Sequence, residues 1–368
     1  MKKADFLVIG AGVVGCAIAK KIKEEFPGRS VLVLEKNDKP GLETSQFNSG
    51  VIHSGIHLNP DFLKARLAKE SGDLIIDYCK LYGVPYRQSG MYILVSGKDF
   101  IHLGGQIKSF FSLMKRAKIQ GIDRRILTGH QIKMSESSLK AVFGIHLKQV
   151  YVIDPVKFVL SLYDTSVTNG VDYSFGSEVV GIYTQDNEWI IETVKQSYYA
   201  NCVINAAGLH AEDISKLAGL DCPIVHYYRG EYYEVIDSKS HLVNTLVYPV
   251  TRPGSPGLGI HLTKTLGGKL LLGPNATLLS GNKDENRTDP RFFWEAVRPF
   301  FPELELEDIR WSFSGVRTKL SSGTGEADFY IKLENTKVPW VNLVGIESPG
   351  LTSSMAIGSY VSKILRLL

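Results

Sequence analysis

The sequence of 368 residues predicts an α/β fold (α+β overall) in which an antiparallel sheet is inserted into a nucleotide-binding domain. Three observations carry this prediction. A glycine-rich turn joins an apolar strand to a helix near the start, the segment Pro223–Leu279 is strand-rich and aromatic, and an apolar strand returns at Val341–Gly345. The chain is also longer than one ordinary domain. We expect the nucleotide-binding domain at residues 1–85, 145–222 and 310–368, and the substrate domain at residues 86–144 and 223–309.

The glycine-rich turn has the pattern of a Rossmann-type site. Gly10, Gly12 and Gly15 follow the apolar run Phe6–Ile9 and open a helical pattern over Val13–Ile22. In such a motif the glycines provide a tight turn, close backbone approach to a pyrophosphate, and close packing of helix on strand. The helix N-terminus favours the negative charge of the pyrophosphate. The turn therefore predicts a dinucleotide site, without separating FAD from NAD.

An acid stands where the ribose of a dinucleotide is expected. Val31–Leu34 has the pattern of a buried parallel strand, and Glu35 follows it, twenty residues after Gly15. An acid there hydrogen-bonds the adenosine ribose hydroxyls and disfavours a 2′-phosphate, which argues against NADP. The alternative for Glu35 is a solvated carboxylate at a strand end.

The loop Thr44–Gly55 points to a flavin. It consists mainly of small, hydrogen-bonding residues and contains His53. Such residues suit the far end of a dinucleotide, where a flavin ring meets a substrate. The sequence therefore predicts an FAD enzyme with His53 close to the reacting atoms.

Charge, apolar content and cysteine usage narrow the possible partners and location of the protein. A net charge of +4, without a basic run, argues against nucleic-acid binding. The early first strand and the lack of a long apolar run predict no signal peptide and no transmembrane segment, hence a cytoplasmic location. Residues 355–368 form an amphipathic pattern, expected to pack on the sheet, with peripheral membrane contact as the alternative. The cysteines lack metal-site spacing and are expected to be small buried residues: Cys16, Cys79, Cys202 and Cys222.

Several further elements can be predicted. Asn59 and Pro60 resemble an N-cap and first helical residue, with Gly83 as the stop. Asp154-Pro155 begins a second capped helix that runs to about Asn169. The predictions also include a mostly helical segment Asp99–Gln120, strands at Met91–Val95, Val171–Phe175, Val179–Thr184, Trp189–Val194 and Asn201–Gly208, and turns at Pro253-Gly254 and Pro256-Gly257.

A family resemblance rests on motifs spread over nearly the whole chain. They are Asn48–Gly55, Arg229–Tyr233, Tyr248–Val250, Gly259–Thr263, Leu272–Asn275, Ser314–Arg317 and Ser348–Ser354. With the glycine motif, these residues make the chain similar to the D-amino-acid-oxidase-like FAD-dependent oxidoreductases. Within them it resembles the L-2-hydroxyglutarate dehydrogenases/oxidases. It departs from that pattern at His57, often aromatic in the family, and at Leu262, often Phe.

The resemblance implies an activity. L-2-hydroxyglutarate, or a close L-2-hydroxy acid, would be oxidised to the 2-oxo acid by hydride transfer to flavin N5. Oxygen, a quinone or a carrier protein would then accept the electrons. The alternatives are a glycerol-3-phosphate dehydrogenase, an amine-oxidising enzyme such as a glycine or D-amino-acid oxidase, the flavin subunit of a larger electron-transfer complex, and a cofactor-free Rossmann protein.

Two histidines are candidates for the catalytic base. The reaction needs a group that accepts the hydroxyl proton, and the ordinary pKa of histidine, roughly 6.5, suits that role. His53 is the first choice and His261 the second. The alternatives for His53 are a flavin hydrogen bond, a role in shaping the loop, or a covalent flavin bond. The alternative for His261 is a structural histidine.

Substrate contacts follow from the same resemblance. It places an arginine that grips a substrate carboxylate at Arg317, a task for which the planar guanidinium is suited. The alternative is a surface salt bridge. Lys319 would meet a second carboxylate if the strand keeps both side chains on one face. Arg229, Tyr233 and Tyr248 are weaker candidates, since tyrosines in sheets are often packing residues.

The cofactor is expected to lie along several segments. Thr44 and Ser45 would bind phosphate oxygens, Val179 and Val180 would offer backbone to adenine, and the turn before the last helix would meet flavin N1–O2. The full expected set is Gly10, Gly12, Val13, Val14, Gly15, Glu35, Lys36, Thr44, Ser45, Asn48, Ser49, Gly50, Val51, Val179, Val180, Ala207, Gly208, Gly315, Gly350, Leu351, Thr352 and Ser353.

Overall fold

The computed structural model describes residues 2–97, 100–253, 257–280, 287–321 and 325–368. Helices and two large sheets are both present, which confirms the predicted α/β class. Three predicted features lie partly outside the described residues, namely the helix start at Asp99 and the turns at Pro253-Gly254 and Pro256-Gly257.

The first large sheet has a parallel centre. Strands Lys2–Ile9, Val31–Leu34, Ser197–Asn205 and Trp340–Val344 all run in the same direction. Their carboxyl ends therefore meet at one edge, where open α/β sheets bind ligands. The sheet is completed by Asp172–Ser174, Val179–Gln185, Glu188–Thr193 and Tyr330–Leu333.

Helices cover this sheet with buried apolar side chains. Val13–Glu25 packs against the last helix, Gly350–Leu365, and a Cβ at Gly358 would lie 2.8 Å from the Ala17 carbonyl oxygen. The absence of that Cβ allows the two helices to approach closely. Two further helices, Leu63–Tyr82 and Pro155–Thr168, contribute to the same core.

One predicted helix start is confirmed and another is wrong. The Asp154 carboxylate accepts the backbone N–H of Lys157 at 3.0 Å, which caps Pro155–Thr168 as expected. The other helix begins at Leu63, not at Pro60, because Asp328 accepts the N–H groups of Leu63 and Lys64 from far along the chain. Its predicted stop is confirmed.

The second large sheet is mainly antiparallel. In the part of the chain that the structure describes, its nine strands are Met91–Val95, Arg125–Thr128, Phe143–Leu147, His226–Val235, Leu246–Pro249, His261–Lys264, Leu270–Gly273, Thr277–Leu278 and Ile309–Lys319. The last of these pairs along the whole of His226–Val235. Residues 310–319, which the sequence assigned to the nucleotide-binding domain, thus belong to the second sheet. The division into domains stays a prediction.

The remaining elements are a small third sheet, further helices and two 3₁₀ turns among the described residues. A third sheet contains Val51–Ile52, Tyr86–Gln88 and Tyr151–Ile153. The remaining helices are Phe100–Gln120, Gly129–Ser135, Ala211–Leu217, Asp237–Ser240 and Pro290–Val297, with 3₁₀ turns at Gly208–His210 and Leu306–Asp308. Within the described ranges, no helix has the length and apolarity needed to cross a bilayer. All four cysteines are free, and all but the half-buried Cys222 are buried.

Candidate active site

The glycine turn adopts the geometry of a dinucleotide cradle. Gly10 has φ +103°, and a Cβ there would lie 2.6 Å from the Ala206 carbonyl oxygen. A Cβ on Gly15 would overlap the Gly10 carbonyl oxygen. Neither position accepts a side chain, so the turn presents bare backbone at Gly10 and Gly15. The residues present therefore fit the pyrophosphate end of FAD.

Glu35 is fixed beside this turn. One carboxylate oxygen accepts the Ala11 N–H at 2.8 Å and the other accepts the Asn37 N–H at 2.9 Å. These bonds hold the carboxylate at the end of strand Val31–Leu34, where the ribose is expected. Its role as a ribose ligand stays a prediction. Lys36, the next residue, pairs with Glu43 at 2.6 Å and hydrogen-bonds His210 at 2.7 Å.

The loop Thr44–Gly55 is held by hydrogen bonds within itself and to neighbouring elements. Ser45 Oγ accepts the Val13 N–H at 2.9 Å, at the start of the first helix. The Thr44 hydroxyl donates to the Val316 carbonyl oxygen at 3.0 Å, and Asn48 Oδ1 accepts the Gly50 N–H at 2.8 Å. Ser45 therefore lies at the N-terminus of the first helix, and its role as a phosphate ligand stays a prediction. The Thr44 hydroxyl is directed to a strand of the second sheet.

Two expected cofactor segments come together at His53. Thr352 Oγ1, in the first turn of the last helix, accepts the His53 N–H at 3.1 Å and donates to the Val51 carbonyl oxygen at 3.4 Å. Ser353 Oγ beside it is buried, with no hydrogen-bond partner among the described residues. The loop and the helix N-terminus thus form one structural unit, as a shared flavin contact requires.

Other expected cofactor positions lie on or next to strands of both large sheets. A Cβ on Gly315 would overlap the Phe47 carbonyl oxygen, so this strand passes close to the loop. Gly208 has φ +56° and follows strand Ser197–Asn205 at the ligand edge of the first sheet. Val180 is 52% exposed, at an irregularity in the strand pairing.

Three histidines surround one tyrosine. The rings of Tyr248 and His261 stack with centroids 3.8 Å apart. His57 lies on Tyr248 at 6.0 Å, and His53 meets the same ring edge-on at 6.4 Å. Segments 53–57, 246–249 and 261–264, which are distant in sequence, therefore converge on one cluster, the histidine–tyrosine cluster of His53, His57, Tyr248 and His261.

Burial makes these histidines neutral. It lowers the pKa of His53 to about 4 and, together with neighbouring positive charges, that of His57 and His261 to about 3. The same burial raises the pKa of Tyr248, which keeps its phenol protonated. At neutral pH the cluster therefore holds imidazoles able to accept a proton and a phenol able to donate a hydrogen bond.

A guanidinium lies near this cluster. Arg317 donates to the Asn275 carbonyl oxygen at 2.9 Å, and its charge helps to lower the pKa of His261. Gly230 makes room for it, because a Cβ there would lie 2.7 Å from an Arg317 nitrogen. Lys319 lies two residues further along the same strand, with its ammonium 5.1 Å from the Tyr228 ring. The alternation of the strand puts the two cations on one face, which is the condition for a Lys319 contact to a second carboxylate. The contact itself stays a prediction.

Two expected substrate residues, Arg229 and Tyr233, lie on the face of their strand that is opposite to the Arg317 face. Arg229 is 6% exposed and pairs with Glu231 at 3.4 Å. Tyr233 packs on Phe293 with centroids 4.6 Å apart and donates to the Thr288 carbonyl oxygen at 2.7 Å. Because strand residues alternate between faces, both lie opposite the Arg317 face. This placement favours packing roles for both residues, and their assignment as substrate residues stays a prediction.

Three residues near the cluster were missed as site residues. Tyr232 stacks on Phe313 at 4.7 Å and lies close enough to Arg317 and Ser49 for both to affect its pKa, which burial raises. In the sequence, His57 stands out only as a departure from the family pattern, and Asn275, which binds Arg317, only as part of a motif. A preference for Tyr232 over Tyr233 required the register of the strand pair, which no local pattern shows.

Comparisons with known proteins agree on one family. A family model described as FAD dependent oxidoreductase matches residues 5–364. Mitochondrial L-2-hydroxyglutarate dehydrogenase of Arabidopsis thaliana is 32% identical, over 99% of this chain and 84% of the relative. L-2-hydroxyglutarate dehydrogenase of Indibacter alkaliphilus is 28% identical, over 96% of this chain and 97% of the relative. Glycerol 3-phosphate dehydrogenase of Caloramator mitchellensis is 29% identical, over 98% of this chain and 74% of the relative.

Solved structures share the fold. Dithionite-reduced L-α-glycerophosphate oxidase from Mycoplasma pneumoniae, with FAD bound, has a TM-score of 0.88 at 26% identity, over 100% of this chain and 95% of that chain. Glycine oxidase from Geobacillus kaustophilus has a TM-score of 0.83 at 17% identity, over 100% and 95%. The second likeness concerns the fold alone.

Proposed function

The chain belongs to the FAD dependent oxidoreductase family, with FAD as its cofactor, and on that basis we propose that it oxidises L-2-hydroxyglutarate, or a close L-2-hydroxy acid, to the 2-oxo acid. Several of its relatives, at 25–32% identity over nearly the full chain, carry the name L-2-hydroxyglutarate dehydrogenase. Bound FAD supplies the hydride acceptor.

The observation that carries the proposal is a neutral histidine cluster beside Arg317. Oxidation of a 2-hydroxy acid requires a group that takes the hydroxyl proton and a cation that holds the adjacent carboxylate. A His53 imidazole nitrogen is free to accept the proton because burial keeps the ring neutral, and Arg317 supplies the cation. His53 as the base and His261 as a substrate contact are the assignments that we propose.

The charge around the cluster supports a dicarboxylate. On the strand that carries Arg317, Lys319 shares its face, and tyrosines line the neighbouring positions. One or two cations with phenolic donors suit two carboxylates, whereas a phosphate favours clustered cations. The rival substrate is glycerol 3-phosphate, which the relative from Caloramator mitchellensis and the structure from Mycoplasma pneumoniae bring into consideration.

The electron acceptor and the location belong to the same proposal. We propose that oxygen, a quinone or a carrier protein reoxidises the flavin, and that the protein is cytoplasmic, with or without contact to a membrane surface. Oxygen uptake compared with dye reduction separates oxygen from the other acceptors. Cell fractionation tests the location.

The experiment that tests the reaction is product analysis under turnover. The purified, FAD-loaded protein is incubated with L-2-hydroxyglutarate and an artificial dye, and 2-oxoglutarate is quantified against dye reduced. Equal amounts of product and two-electron-reduced dye support the proposal. Turnover of glycerol 3-phosphate without turnover of the hydroxy acid would replace it by the rival.

A further inference from the structure

Two buried polar atoms of the histidine–tyrosine cluster have no partner in the described part of the chain. They are His57 Nε2 and the Tyr248 hydroxyl, whose rings lie 6.0 Å apart. Buried polar atoms in native proteins nearly always have a hydrogen-bond partner, supplied by protein, water or ligand. Two such atoms on neighbouring rings therefore indicate a polar group that arrives from outside the protein.

The backbone that carries His57 is held from the neighbouring helix, Phe100–Gln120. Arg116 donates to the His57 carbonyl oxygen and also pairs with Glu326 at 3.1 Å. Gln120 donates to the Gly55 carbonyl oxygen at 3.2 Å, where Gly55 has φ +84°. These contacts fix the loop on both sides of Ile56. A fixed loop limits how far the imidazole can move to find a partner within the protein, so the unpaired nitrogen is a feature of the folded site.

The chemistry of the pair suits an anion. The Tyr248 phenol is a donor, because burial raises its pKa, and neutral His57 has one N–H to donate. The charge that acts on His57 is positive, since Arg116 lies on the neighbouring helix, where it also pairs with Glu326. His53 lies on the same loop and His261 on the strand, and burial, together with His53 and Arg116, lowers the pKa of His57 to about 3. A carboxylate entering here would gain hydrogen bonds and a favourable field.

We propose that His57 and Tyr248 bind the distal carboxylate of the substrate, and that His57 makes the site select a dicarboxylate over a monocarboxylate of the same length. This inference rests on the proposed oxidation of L-2-hydroxyglutarate. Arg317 holds the carboxylate next to the oxidised carbon, and the pair holds the other end. A site built to hydrogen-bond a polar group rejects an analogue that lacks it, because its own buried groups then stay unpaired.

The test compares two substrates that differ only at the distal end. Anaerobic flavin reduction is titrated with L-2-hydroxyglutarate and with L-2-hydroxypentanoate, in which a methyl group replaces the distal carboxylate. In His57→Phe, which keeps an aromatic ring, we expect the apparent Kd for hydroxyglutarate to rise roughly 10- to 100-fold. The Kd for hydroxypentanoate should change by less than about 3-fold, so the preference of the wild type collapses.

Two further variants separate recognition from structure. Tyr248→Phe removes the hydroxyl but retains the ring stack on His261, and should reduce the same preference. His57→Gln restores a hydrogen-bond donor and should recover part of the preference for hydroxyglutarate. A merely structural effect would weaken the binding of both substrates alike in every variant. Equal losses for the two substrates, or an unchanged preference in His57→Phe, would overturn the inference while the proposed function stands. A wild type that hydroxyglutarate does not reduce would overturn both.

Discussion

The Tyr248 ring stacks on the His261 imidazole, with centroids 3.8 Å apart and planes 17° apart. The second anchor of this histidine is a hydrogen bond of 2.9 Å between its Nδ1 and the Gly259 carbonyl oxygen. A carbonyl oxygen only accepts, so Nδ1 of the neutral ring carries the proton and Nε2 is left as an acceptor. Nε2 is therefore able to accept a hydrogen bond, which fits the substrate contact that we propose for His261.

Replacement of His53 tests the assignment of the base. His53→Ala should lower the limiting rate of flavin reduction by roughly 10²–10⁴-fold, because the hydroxyl proton loses its acceptor. Stopped-flow absorbance under anaerobic conditions measures this rate. His130, an exposed histidine in helix Gly129–Ser135, supplies the control variant His130→Ala. A normal rate in His53→Ala with a strong loss in His261→Ala would transfer the role to His261.

Replacement of Arg317 tests the carboxylate contact. Arg317→Ala should raise the apparent Kd for the substrate by roughly 10²-fold, the scale of a lost charge-assisted contact, while FAD stays bound. Substrate titration of the flavin spectrum measures the affinity, and the flavin-to-protein ratio measures occupancy. Arg310→Ala, an exposed arginine on the same strand, is the matched control. An unchanged Kd in Arg317→Ala would defeat the assignment.

The glycine turn makes a prediction about the cofactor. Gly15→Ala should prevent FAD binding, since its Cβ would overlap the Gly10 carbonyl oxygen. Gly72→Ala, in the helix Leu63–Tyr82, meets open space and should retain FAD with a gain of roughly 0.5–1 kcal/mol in the free energy of unfolding. Flavin absorbance after dialysis and thermal unfolding measure the two effects. A fully flavinated Gly15→Ala protein would contradict the cradle.

The neutral histidines make stability depend on pH. In the folded protein burial lowers the pKa of His53 to about 4 and that of His261 to about 3, while their unfolded-state value is 6.5. Below pH 6.5 the unfolded chain thus binds more protons than the folded one, so stability falls as pH drops from 6.5 towards 4 and is retained above 6.5. Thermal unfolding across this range should show a smaller loss for His261→Asn. An equal loss of thermal stability in the wild type and in His261→Asn would contradict the prediction.

Local patterns were sufficient where one segment determines its own structure. Gly10 and Gly15 are required by the turn that they form, and the Asp154 cap depends on a backbone donor three residues away. The start of helix Leu63–Tyr82 could not be predicted in this way. Its cap is the Asp328 carboxylate, brought there by tertiary packing.

Local sequence patterns could not predict which residues share a face of the second sheet with Arg317. The pairing of His226–Val235 with Ile309–Lys319 sets Tyr228 opposite Arg317. The alternation of the strand then places Tyr232 on the Arg317 face and Tyr233 on the other. His57 likewise joined the cluster only through its packing on Tyr248, from a strand almost two hundred residues away.

The most direct test of the central claim is bleaching of the visible flavin band under anaerobic conditions. The purified protein is titrated in parallel with L-2-hydroxyglutarate, D-2-hydroxyglutarate, glycerol 3-phosphate and glycine. We predict rapid, complete bleaching by L-2-hydroxyglutarate and none by the other three compounds. Bleaching by glycerol 3-phosphate or glycine instead, or by none of the four, would contradict the proposed reaction.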